Sequence, residues 1–150
     1  MIEGIPLKKR LSAILVTVIM MFGALVGAAP AAQAACYADA SFTSKYFSTT
    51  SGGVNLQIST YYDDCGTYQK LKSFRVTLSG PASSIHSSVI RYYNRGGSSL
   101  RTSRSGTFYD GSTYSLGGVS CTDTCLGVYT GRINVSWATD PKFTMSDSLT

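Results

Sequence analysis

From Val54 onward the chain alternates. Val54, Leu56, Ile58 and Thr60 point one way along an extended backbone, while Asn55, Gln57 and Ser59 point the other. Phe74, Val76 and Leu78 alternate with Arg75 and Thr77 in the same manner, and Val89, Arg91 and Tyr93 oppose Ile90 and Tyr92. Near the end, Ile133, Val135 and Trp137 alternate with Arg132, Asn134 and Ser136. A strand turns successive side chains to opposite faces, so such runs read as strands with one face buried. Their content of Val, Ile, Thr and Tyr suits a pleated surface. Between them stand Gly52-Gly53, Asp63-Asp64-Cys65-Gly66, Ser79-Gly80-Pro81, Asn94-Arg95-Gly96-Gly97, Asp110-Gly111, Gly117-Gly118 and Asp140-Pro141. Each supplies a positive φ, a fixed φ or a side chain that caps a turn. No segment of ten or more residues repeats at the helical period.

The expected fold is therefore all-β, a small antiparallel sandwich of about seven strands. The alternation and turns place those strands at 37–48, 54–62, 71–79, 87–94, 99–108, 112–119 and 127–138, with a hairpin around 94–98. The tail from Gly127 to Trp137 resembles the late strands of immunoglobulin-like sandwiches, where a tyrosine opens the strand and apolar residues alternate after it. That resemblance implies an immunoglobulin-like sandwich. It covers only about a dozen residues, and the Cys…Trp…Cys spacing of antibody domains is absent, since Trp137 follows all four cysteines.

The first 34 residues follow a different rule. Lys8-Lys9-Arg10 precedes an uncharged stretch, Leu11–Ala29, that loosens through Gly23, Gly27 and Pro30. Ala32-Gln33-Ala34 then offers small residues at the −3 and −1 positions, so residues 1–34 read as a signal peptide cleaved after Ala34. The stretch is long enough to serve as a membrane anchor instead, but its Gly and Pro residues and the cleavage site favour removal. Gln33 stands where a lipoprotein signal would carry a Leu-like residue before Cys36. The mature part, 35–150, is thus expected to be a secreted, extracellular β-sandwich domain.

Export decides what Cys36, Cys65, Cys121 and Cys125 mean, because an even number of cysteines in an oxidising compartment reads as disulfides. Four cysteines allow three pairings, and Cys36–Cys65 with Cys121–Cys125 closes both loops locally. A zinc site is not expected: no C-x-x-C pair occurs and His86 is the only histidine. No other metal and no cofactor is indicated. Phosphate-cradling glycine motifs are missing, since both Gly-Gly pairs lie at turns with no helix to follow.

Catalysis is poorly supplied. The mature part has no glutamate, and its seven aspartates lie in or near turns. A small secreted hydrolase would have to use His86 with a nearby serine or aspartate, and no G-x-S-x-G motif is present. His86 reads more simply as an exposed loop residue. The chain is therefore expected to be a non-catalytic binding module. An inhibitor or toxin-like use of the Cys121–Cys125 loop is the alternative, because a rigid loop loses little entropy on binding.

Charge distribution points to a surface. Residues 65–109 hold Lys70, Lys72, Arg75, Arg91, Arg95, Arg101 and Arg104 and no acid, while residues 35–64 and 110–150 are each net negative. If the hairpin forms, Arg91, Tyr92, Tyr93 and Arg95 lead into its turn and Arg101 and Arg104 return from it, giving one basic, tyrosine-bearing face of about 15 Å. Arginine beside tyrosine suits anionic polymers through salt bridging and stacking. The expected partner is an anionic extracellular polymer or a cell-surface component. The plainer explanation is structural, because exposed basic residues also discourage pairing of strand edges.

Overall fold

The computed structural model describes residues 36–44, 47–48, 53–122, 124–135 and 141–149. The expected signal segment, Trp137 and the far end of the strand expected at 127–138 lie outside these residues. The described residues form eight strands: β1 (Tyr37–Thr43), β2 (Asn55–Asp64), β3 (Tyr68–Ser79), β4 (Ala82–Tyr93), β5 (Leu100–Tyr109), β6 (Thr113–Thr122), β7 (Leu126–Val135) and β8 (Lys142–Ser148). They make two four-stranded antiparallel sheets, ordered β1-β2-β3-β6 and β5-β4-β7-β8. The two-sheet, all-β architecture is the expected one. β2 and β3 are neighbours in one sheet, and the chain then crosses to β4 in the other.

The inner faces follow the alternation. Leu56, Ile58 and Thr60 of β2 and Phe74, Val76 and Leu78 of β3 are all buried, and opposite them lie Ile90 and Tyr92 of β4 and Tyr129 and Ile133 of β7. Phe74, Tyr114 and Phe108 meet at ring separations of 4.8–5.3 Å and join β3 and β6 of one sheet to β5 of the other. Across the β2–β3 ladder from Phe74, the Thr60 hydroxyl lies 2.8 Å from the Tyr92 hydroxyl and 3.5 Å from that of Tyr129, and the two tyrosine rings meet edge to face. A buried hydroxyl without a partner would be costly, so this trio fixes how the sheets are set over each other.

Two departures from the expected strands have physical causes. β4 begins at Ala82, within what reads as a polar connection, because a bulge at His86–Val89 with Ser87 at φ 48° shifts the alternation by one residue. Ile85 and Ile90, five apart, are therefore both fully buried, which strict alternation forbids. The additional strand β8 carries only two apolar residues, Phe143 and Met145, on its inner face. Its seat depends on Gly131, where a Cβ would collide with the Ser88 hydroxyl and come within 2.9 Å of the Phe143 ring.

Candidate functional site

The two disulfides are Cys36–Cys65 and Cys121–Cys125, the pairing that local closure favours. Two disulfides fit an oxidising environment. Each stands directly beside a wall of the same open cleft. Cys65 directly follows β2 and begins a tight turn, in which the Asp64 carboxylate accepts the Gly66 N–H at 2.9 Å and the Cys65 N–H donates to the Tyr68 carbonyl at 2.9 Å. This turn presents Thr67 and Tyr68. Across the ladder, Tyr68 pairs with Thr122 and Lys70 with Ser120, so Ser120 and Thr122 flank Cys121 on the same outer face.

The third wall comes from the other sheet. Arg101 of β5 donates its Nε–H to the Ser120 carbonyl at 3.0 Å. Thr67, Tyr68, Arg101, Ser120 and Thr122 together line a cleft of about 380 Å³. That volume is within the range of small-ligand sites. No carboxylate is among the five lining residues, and Asp123 lies outside the described residues. Arginine has five N–H donors, and among the described residues only Nε–H of Arg101 is bonded to protein. The remainder of its planar fork is free for a ligand. The hydroxyls of Thr67, Ser120 and Thr122 likewise make no hydrogen bond among the described residues.

The basic, tyrosine-bearing face expected on the hairpin does not form as one surface. The hairpin itself does: the Asn94 N–H donates to the Ser99 carbonyl and the Gly97 N–H to the Asn94 carbonyl, both at 2.9 Å, joining β4 to β5. Its side chains diverge. Tyr92 is a core residue with 0% exposure, because it shares the phase of Ile90. Arg91 pairs with Ser103 and Arg104 with Ile90, so Arg91 and Arg104 lie on opposite faces of the sheet. Arg91 and Tyr93 are half-buried on the outer face, and Arg95 is exposed in the turn. A register shift between Tyr92 and Tyr93 leaves Arg101 without a cross-strand partner, and it extends to β6. Arg104 also extends to β6, donating to the Ser115 carbonyl at 2.7 Å and lying 5.6 Å from the Tyr114 ring centre.

His86 is not in a loop but on β4, half-buried and paired across the ladder with Arg132. The nearby serines serve the fold: Ser84 is buried and accepts from the Asn134 amide at 3.4 Å, and the Ser88 hydroxyl donates to the His86 carbonyl at 3.1 Å. Lys72 is bound to Asp39 and Asp63 at 2.5 and 3.4 Å. The hydrogen bond its ammonium donates to the Asp39 carboxylate is the main reason it holds its proton above the ordinary lysine range. Among the described residues no three His, Cys, Asp or Glu side chains gather as a metal site, and no helix is long and apolar enough to cross a membrane.

Of the expected site residues, Arg101 alone lines the cleft. Thr67, Tyr68, Ser120 and Thr122 carried no motif, and the only signal for them was their position beside cysteines. Comparisons with protein families, characterised proteins and solved structures find no match to this chain.

Proposed function

We propose that this protein is an exported, non-catalytic binding module that holds an anionic extracellular polymer or cell-surface component in the cleft around Arg101. The observation that carries the reading is the placement of one free guanidinium fork in a recess whose walls adjoin both disulfides. Such walls lose little freedom when a ligand binds, so more of the contact energy appears as affinity. The basic stretch of the sequence supports an anionic partner, and the leader-like residues 1–34 together with the disulfides support export.

The test uses protein recovered from culture medium, with its N-terminus expected at Ala35. Retention on immobilised wall material, acidic glycan and DNA is compared across a salt gradient. Binding through charge weakens with salt, so Arg101→Glu is expected to elute from the preferred matrix at clearly lower salt than the parent. Arg91→Glu and Arg95→Glu, which lie away from the cleft, are expected to shift much less. Co-elution of Arg101→Glu with the parent on every matrix contradicts the reading.

A further inference from the structure

The cleft is poorly matched to a densely charged polymer and well matched to a sparsely charged, hydroxyl-rich one. We infer that its ligand is a carboxylated sugar unit of an acidic polysaccharide, a uronate, with the carboxylate on Arg101 and the sugar ring against Tyr68. This inference rests on the proposed anion-binding role of the cleft and names its ligand class.

Three observations carry it. Arg101 is held by its Nε–H on the Ser120 carbonyl, which leaves a planar set of donors suited to the two oxygens of a carboxylate. Three hydroxyls without partners among the described residues, on Thr67, Ser120 and Thr122, ring the same space and can both donate to and accept from sugar hydroxyls. The ring of Tyr68, 37% exposed, supplies the apolar surface on which the C–H face of a sugar packs.

Nucleic acid is disfavoured by what surrounds the cleft. A duplex carries one charge per about 1.7 Å and is held by many cations in line. Among the described residues Arg101 is the only cation in the lining, and Lys70 is the cross-strand neighbour of Ser120. The next lysine, Lys72, is occupied by Asp39 and Asp63. Lys70 is itself faced across the β2–β3 ladder by Asp63, so the cations near Ser120 do not form an uninterrupted line.

Calorimetric titration of the purified protein with oligogalacturonate, its carboxyl-reduced neutral counterpart, a sulfated dextran oligosaccharide and oligothymidylate of equal length tests the idea. Oligogalacturonate is expected to bind about tenfold more tightly than oligothymidylate, and the neutral sugar not measurably. Arg101→Lys keeps the charge but loses the fork, and Tyr68→Ala loses the platform. Each is expected to weaken oligogalacturonate binding about tenfold while urea midpoints stay near the parent's. Equal or tighter binding of the sulfated dextran or oligothymidylate, with Arg101→Lys unaffected and Arg101→Glu inactive, overturns the uronate assignment and leaves the anion site standing. Binding that Arg101→Glu does not change removes both.

Discussion

Tyr92 shows how one hydroxyl can serve the fold where its sequence neighbours suggest a surface role. Burial raises its pKa well above that of a free tyrosine, and the neighbouring Tyr129 adds to the shift. Tyr129 is raised as well, again chiefly by burial, with the hydrogen bond to Thr60 opposing. In the unfolded chain both ionise near 10, whereas in the fold both stay neutral beyond that value. Their contribution to stability is therefore full below about pH 9 and is lost as pH rises through 10 toward the raised folded values. The loss approaches about 1.4 kcal/mol per pH unit for each tyrosine once the unfolded chain is ionised. Urea unfolding between pH 8 and 11 checks this. Tyr92→Phe is expected to be less stable at pH 8 by about 1–2 kcal/mol, because Thr60 loses its closest partner, yet to fall less steeply above pH 10. An unchanged slope would show that Tyr92 ionises freely in the folded protein.

At the level of strands, the side of the sandwich where β5 meets β6 is closed by side chains. The two strands belong to different sheets and share no ladder. Arg101 and Arg104 instead donate to carbonyls of β6, at Ser120 and Ser115, and so occupy acceptors that another strand edge would otherwise use. Arg104→Ala is expected to lower stability by about 1 kcal/mol through the lost hydrogen bond and the lost contact with Tyr114, and to leave ligand binding unchanged. Arg95→Ala, in the exposed turn, is expected to change the urea midpoint little. The same region marks the limit of what alternation reveals. Regular runs such as 54–60 and 74–78 declare their buried face directly. The bulges at Ser87 and Arg101 each insert a residue, and every side chain beyond is turned to the face opposite the one that simple counting assigns. That is why Arg91, Arg101 and Arg104 look like one patch in the chain and are three separate groups in the fold.

Across the whole molecule, the cleft is a product of long-range pairing. Its described lining comes from residues 67, 68, 101, 120 and 122, which only the β3–β6 ladder and the approach of β5 bring together. Sequence proximity holds no record of that meeting, although the cysteines beside two of the three segments mark where the chain is braced. Architecture and disulfide pairing were legible because each depends on local spacing. The eighth strand was not, since Phe143 and Met145 alone make too short an apolar pattern and the seat of Phe143 depends on Gly131 of the neighbouring strand. The most direct test of the account is residue-resolved NMR of the protein titrated with oligogalacturonate. The account predicts shifts concentrated at Thr67, Tyr68, Ser120, Thr122 and the Arg101 side chain, with Arg91, Tyr93 and Arg95 unmoved. Shifts centred on Arg91, Tyr93 and Arg95 with the cleft silent, or no shifts at any residue, would contradict it.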